Sequence, residues 1–154
     1  MTSTMPNHHM ALALKEAEAA ASRSEVPVGA VLVAPDGRPF VSDGNRTLEL
    51  NDPTAHAEIL VIRHACKATG SQRLPGFDLY VTLEPCAMCA AAISFARIRR
   101  LYYAAADPKS GGVEHGKAFF SSATCHHAPE VYGGIAETQA AALLKRFFEA
   151  RRGA

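Results

Sequence analysis

Tyr80-Val81-Thr82-Leu83-Glu84-Pro85-Cys86-Ala87-Met88-Cys89 carries a strand into a helix, with two cysteines in the turn between them. The β-branched and aromatic run from Tyr80 to Leu83 reads as a strand. Pro85 marks a helix start, because the N–H that proline lacks would have no helical acceptor there. Cys86 and Cys89 are then three apart on one face of the first turn, where unpaired N–H groups and the positive dipole end favour thiolates. Upstream, Asp52-Pro53-Thr54-Ala55-His56-Ala57-Glu58 contains the residue types that cap and open a helix. His56 and Glu58, two apart, do not share a helix face. They converge if their target lies beyond the helix start, since side chains lean toward the N-terminus.

One imidazole and two thiolates form a three-ligand set for a single zinc ion and leave the fourth tetrahedral position to water, as catalytic sites require. Two thiolates cancel the charge of the dication, so the water is acidified less than three imidazoles would allow, and a base beside it becomes useful. Glu58 is the candidate for that role. Other readings compete. A thioredoxin-like redox pair also places C-x-x-C after a strand, but it leaves His56, Glu58 and the negative neighbour Glu84 without a purpose. A structural zinc in a non-catalytic binding domain needs a fourth ligand from His64, Cys66 or Cys125. Cys125-His126-His127 invites a second metal, but no partner with ligand spacing stands nearby, and a polar loop is the simpler expectation.

With 154 residues, 48% of them hydrophobic and 20% charged, the chain is expected to form one domain over residues 1–154, with 1–7 flexible. The polar first ten residues suggest neither a signal peptide nor a membrane anchor. Two cysteines assigned to zinc leave Cys66 and Cys125 as expected free thiols, which fits a reducing cytoplasm. A net charge of +1 gives no global basic footprint for nucleic acid, so local clusters must carry that possibility. Arg97, Arg99 and Arg100 form one, and Lys145, Arg146, Arg151 and Arg152 another; the plainer reading of each is a solvated element end.

A helix is expected from about residue 8 to 23, rich in Ala, Leu, Lys and Glu. Ala30-Val31-Leu32-Val33 reads as a buried strand, turned by Pro35-Asp36-Gly37 into a return strand toward Asn45. A helix over 57–68 points Ile59, Leu60, Ile62 and Ala65 inward and stops near Gly70. A strand over 77–83, a helix over 86–96 and a strand over 100–105 follow, then a polar, Gly-rich loop over 107–116. Residues up to 134 carry little pattern, and a helix over 138–152 closes the chain. At about 100° per residue its Leu143, Leu144, Phe147 and Phe148 share one arc. Two successive strand-to-helix units predict parallel strands between helical layers, with zinc at helix N-termini beside the carboxyl ends of strands.

H-x-E combined with P-C-x-x-C is the signature of zinc-dependent nucleobase deaminases. Together with Glu25-Val26-Pro27-Val28-Gly29-Ala30-Val31-Leu32-Val33, Asn45-Arg46, the 52–58 and 79–89 segments and the Phe147-Phe148 helix, the chain resembles the bacterial tRNA-specific adenosine deaminases over nearly its whole length. The resemblance implies an α/β fold, the cytidine-deaminase-like three-layer α/β/α sandwich with a central mixed sheet of about five strands, and a cytoplasmic homodimer. The implied reaction is hydrolytic: adenosine at the wobble position of an arginine tRNA anticodon stem-loop becomes inosine, and ammonia leaves. Residue by residue, it implies zinc on His56, Cys86 and Cys89, proton shuttling by Glu58, and a flipped base bonded by Asn45 and the Ala57 N–H. It further implies anticodon contacts from Asp107 and Lys109, an RNA site lined by Phe148, and RNA backbone contacts from Lys145, Arg146, Arg151 and Arg152. Residues 114–132 depart from the well-known members in length and content. Deaminases of free guanine, cytosine or cytidine use the same zinc set on a related fold and are the alternative.

Overall fold

Residues 30–33 form a strand with no exposed face: Ala30 and Leu32 pack on one side, Val31 and Val33 on the other. The computed structural model describes residues 5–152, with side chains from 8 to 151. The strand is β1 (Gly29–Val33). It follows α1 (Met5–Ser22) and turns into β2 (Pro39–Gly44). Then come α2 (Ala57–Thr69), β3 (Asp78–Leu83), α3 (Ala87–Phe95), β4 (Arg100–Ala105), a 3₁₀ turn at Phe119–Ser121, β5 (Glu130–Gly133) and α4 (Glu137–Arg152). The expected flexible stretch 1–7 lies partly outside the described residues. Residues 1–4 are not described, and 5–7 fall within the bounds of α1.

The five strands form one mixed sheet in the order β2-β1-β3-β4-β5. β3, β4 and β5 are parallel, as the strand-to-helix pattern predicts; β1 runs against both its neighbours. The tight hairpin forces β1 and β2 to be antiparallel, and the α2 crossover then returns β3 parallel to β2 on the far side of β1. The carboxyl ends of β2, β3, β4 and β5 therefore meet at one edge of the sheet. β5 falls in the segment whose sequence carries little pattern, and its four residues are mostly exposed.

Helices cover both faces. α2 and α3 bury Ala57, Val61, Ala65, Ala90 and Ile93 against Leu32, Leu79, Val81 and Leu101. On the other face α1 and α4 bring Met10, Ala13 and Ala140 onto Val31, Val33, Tyr80 and Ala104. α1 lies unusually close to the hairpin. Gly29 and Gly44 are register partners, and a Cβ on Gly29 would stand 2.0 Å from the Ala13 carbonyl oxygen, one on Gly44 2.6 Å from that of Glu16. Only glycine fits both positions. On this face Tyr80, Tyr102 and Tyr132, register partners across β3, β4 and β5, stack at 4.3 and 5.0 Å between ring centroids, and His9 packs on the inner end.

Some expected positions differ. In α2 it is Val61, fully buried, rather than the half-buried Ile62 that completes the core stripe. Among the described side chains of α4 only Ala140 is buried, with Leu143, Leu144 and Phe147 half-covered and Phe148 43% exposed. The Arg97, Arg99 and Arg100 cluster is spent within the fold: Arg99 makes two bonds to Asp78, Arg100 pairs with Glu130, and Arg97 donates to the Ser94 carbonyl.

Candidate active site

Two helices begin at the shared strand edge, and each offers its N-cap residue to the same point. His56 is the N-cap of α2 and Cys86 that of α3, with Cys89 three residues on in the first turn. Asp52 and Thr54 do not cap α2, contrary to the sequence expectation. Asp52 accepts bonds from the Thr54 N–H and hydroxyl and so folds the approach loop, leaving the cap position to a histidine whose ring is needed elsewhere. Pro85 stands just ahead of the Cys86 cap.

His56 Nδ1 lies 3.7 Å from Cys86 Sγ and 3.5 Å from Cys89 Sγ. Tetrahedral zinc with ordinary Zn–N and Zn–S bonds requires N···S separations of about 3.6 Å. The donor set therefore fits zinc without rearrangement, with Nδ1 as the imidazole donor. Among the described residues, these three form the only such cluster of candidate ligands. His64, Cys66 and Cys125 are not part of it. His64 Nε2 faces Asp43, and Cys125 bonds the His127 carbonyl while His127 bonds that of Ile98. Cys66 and Cys125 are free thiols.

Electrostatics prepares the cysteines unequally. A bond from Cys89 and, against burial, one from His56 lower the Cys86 thiol to about 4; the facing Cys86 sulfur and burial raise that of Cys89. The two sulfurs thus compete for one proton, which a bound dication displaces. Glu58, second residue of α2, is buried, and desolvation pushes its carboxyl up to about 7 against the pull of its own backbone N–H and of His56. A carboxyl near neutrality can both take and return a proton.

His56, Glu58 and Cys86 line a cavity of about 260 Å³ walled also by Val26, Val28, Asn45, Thr47, Leu83 and Ser110, with Cys89 buried behind them. This cavity shares Val26, Leu83, Asp107 and Ser110 with a neighbouring cavity of about 650 Å³, which Lys109, Leu144, Phe148 and Arg151 also line. Asn45 follows β2 directly and is buried; Asp107 follows β4 and bridges both cavities. Ala57, buried at the first position of α2, contributes a first-turn N–H rather than a wall. Lys145 and Arg146 are exposed outside both cavities. Arg151 donates to the Ser24 carbonyl and stacks on Phe147, so it is already held, and the Arg152 side chain lies outside the described residues.

Two buried carboxylates shape the rims, and sequence reading misses both roles. Glu25 accepts the N–H groups of Leu48 and Glu49 and the Thr47 hydroxyl, and stands 3.4 Å from Asn45 Nδ2. Glu84, in the sequence no more than a negative charge beside the cysteines, accepts the N–H groups of Asp107, Val113, Glu114 and His115. Burial would raise its carboxyl, but these bonds and the His115 ring hold it below the usual value. The one available signal is an acidic residue closing an apolar strand.

Residues 3–105 match the family described as the cytidine and deoxycytidylate deaminase zinc-binding region. A tRNA-specific adenosine deaminase of Agrobacterium fabrum is 67% identical over 145 residues, covering 94% of this chain and 95% of that protein. A structure from studies of A-to-I editing by tRNA:A34 deaminases at the wobble position of transfer RNA is similar at a TM-score of 0.87 and 69% identity. The match covers 89% of this chain and 99% of that one. The guanine deaminase of Nitrosomonas europaea, 22% identical at a TM-score of 0.80 over 92% of this chain and 84% of its own, has the same fold.

Proposed function

The chain belongs to the tRNA-specific adenosine deaminases, within the family of the cytidine and deoxycytidylate deaminase zinc-binding region, and from that premise we propose how its own residues carry the reaction. It is a zinc-dependent hydrolase that converts wobble adenosine in a tRNA anticodon to inosine and releases ammonia. His56 through Nδ1, Cys86 and Cys89 would hold the zinc, which when bound would acidify water. Glu58 takes the proton of the attacking water and hands it to the departing amine. Asn45 and the Ala57 N–H bond the flipped base. Asp107 and Lys109 meet the neighbouring anticodon nucleotides and Phe148 lines their path, while Lys145, Arg146 and Arg151 supply positive charge for phosphates.

The observation that carries this reading is the placing of three donor atoms at zinc spacing, two of them on residues lining a cavity, with buried Glu58 lining it beside them. What favours RNA over a free base is the outer cavity, whose Lys109, Phe148 and Arg151 give a flanking nucleotide charge and an aromatic face. An arginine tRNA is the proposed substrate, and the cytoplasm the proposed place of action; no helix among the described residues is long and apolar enough to cross a membrane. The proposed homodimer uses the α2–α3 face. There Phe95 is 70% exposed beside a groove lined by Ile59, Ile62 and Ala92, whereas Ile93, the other apolar residue of that stretch, is core.

Incubating the zinc-loaded protein and its Glu58→Ala variant with an arginine tRNA anticodon stem-loop tests the reading. Inosine at the wobble position is expected from the unmutated protein alone. Ammonia release from guanine, cytosine or cytidine with no inosine in RNA would replace it with the free-base alternative.

A further inference from the structure

We propose that Glu84 is a positioning residue for RNA binding: its carboxylate clasps the 107–115 loop and holds Asp107, Lys109 and Ser110 in the wall of the substrate cavities. The proposal rests on the deaminase reading above. The Glu84 side chain is fully buried. Oε1 receives the Asp107 N–H at 3.0 Å and His115 Nδ1 at 2.7 Å, and Oε2 receives the N–H groups of Val113, Glu114 and His115 at 3.2, 2.9 and 3.1 Å. A carboxylate offers about four lone-pair sites, so five donors saturate it. Because the carboxylate only accepts, the His115 ring carries its proton on Nδ1.

The loop approaches this carboxylate too closely for any side chain of its own. A Cβ on Gly111 would lie 2.5 Å from Glu84 Oε2 and from the Asp107 carbonyl oxygen; one on Gly112 would lie 2.5 Å from the Ala87 nitrogen. Gly112 also donates to the Pro85 carbonyl at 2.8 Å. The loop is thus stitched to residues 84–87, the turn that presents Cys86. The cavity-lining members of the loop make their own contribution: Asp107 Oδ1 accepts the N–H groups of Lys109 and Ser110 and shapes the turn between them. Glu84 lines the inner cavity, but every donor it holds belongs to the loop. Its contribution is to the geometry of groups that meet RNA, with proton transfer left to Glu58.

Two variants of the full zinc-loaded chain test this. Glu84→Gln keeps the shape but turns an acceptor into a donor facing N–H groups. Gly111→Ala disturbs the same contact from the loop side, where φ lies outside the left-handed region and alanine is otherwise allowed. Zinc per chain, kcat and KM on the anticodon stem-loop, and trypsin cleavage after Lys109 and Lys117 are measured for each. In both variants KM and the cleavage rate are expected to rise roughly 10- to 100-fold, the scale of losing charge-assisted hydrogen bonds, with zinc and kcat nearly unchanged. Unchanged KM and cleavage in both variants overturns the proposal. So does a loss of zinc and kcat with KM and cleavage unaltered, which would make Glu84 a support of the metal turn. If the unmutated chain forms no inosine, the deaminase reading and with it the RNA-binding role fall, while the cleavage rates still decide whether the clasp exists.

Discussion

His56 and Cys86 occupy equivalent places in two different helices: each is an N-cap in extended backbone, and neither bonds its side chain to the first-turn N–H groups. An ordinary N-cap oxygen would satisfy one of those groups and contribute about 1 kcal/mol. Here both helices forgo it, and the two side chains turn toward each other instead.

Cys86→Ser should therefore improve the helix while ruining the site. After chelation the variant is expected to be more stable than the natural chain by up to about 1 kcal/mol, since serine is a strong N-cap. In excess zinc the order should reverse, because only the natural chain gains metal-binding energy. Denaturant unfolding with and without zinc checks both halves.

Glu58→Gln is expected to keep one zinc per chain and the natural fold while inosine formation falls about 10²- to 10⁴-fold, the range for a removed general acid–base. Metal analysis beside single-turnover kinetics separates a lost proton shuttle from a lost ion.

Gly29→Ala should cost stability out of proportion to one methyl group. The new Cβ would meet backbone of α1 at Ala13 and Ala17, and backbone cannot rotate aside. A loss of about 1–3 kcal/mol or more is expected in thermal or denaturant unfolding.

Burial, helped by His8 and opposed by Asp78, lowers the titration of His9 from its usual 6.5. Between its folded and unfolded values only the unfolded chain is protonated, so stability attributable to His9 is complete above 6.5 and declines as pH falls below it. His9→Phe, which keeps an aromatic ring against Tyr80, should lose less stability than the natural chain between neutral and mildly acid pH. Parallel denaturation curves that stay equally spaced across that range would count against this.

Exposed Lys145 and Arg146 are each expected to neutralise one phosphate. Replacing either with alanine should reduce the slope of log affinity against log salt by about 0.7 to 0.9, with zinc content unchanged. Stem-loop titrations at several salt concentrations give the slope.

The zinc motif is legible in the sequence because its chemistry is local. Pro85 and the two cysteines name a helix start, and a histidine two residues before a glutamate can face the same point only at a helix start, where His56 is the N-cap of α2 and Glu58 lies in its first turn. Gly70, left-handed at φ 70°, stops α2 at the glycine where the sequence predicts a stop. What the sequence conceals depends on partners distant along the chain or on backbone. The partners of Arg99 and Arg100, Asp78 and Glu130, lie on other strands, so a cluster of cations on paper is a set of ion pairs in the fold. The partners of Glu84 are chiefly main-chain N–H groups, which any residue supplies and no composition reveals. β5 is a short edge strand, Glu130-Val131-Tyr132-Gly133, whose exposed residues show no apolar alternation.

The chain has no tryptophan and four tyrosines, and three of the four are the stacked rings of β3, β4 and β5. Its near-ultraviolet optical activity is accordingly dominated by one asymmetric column of phenols, held only while the three parallel strands are in register. The molecule carries its own spectroscopic label for that half of the sheet, on the face opposite α2 and α3, so assembly of the parallel strands can be timed without attaching a dye and without perturbing the metal centre.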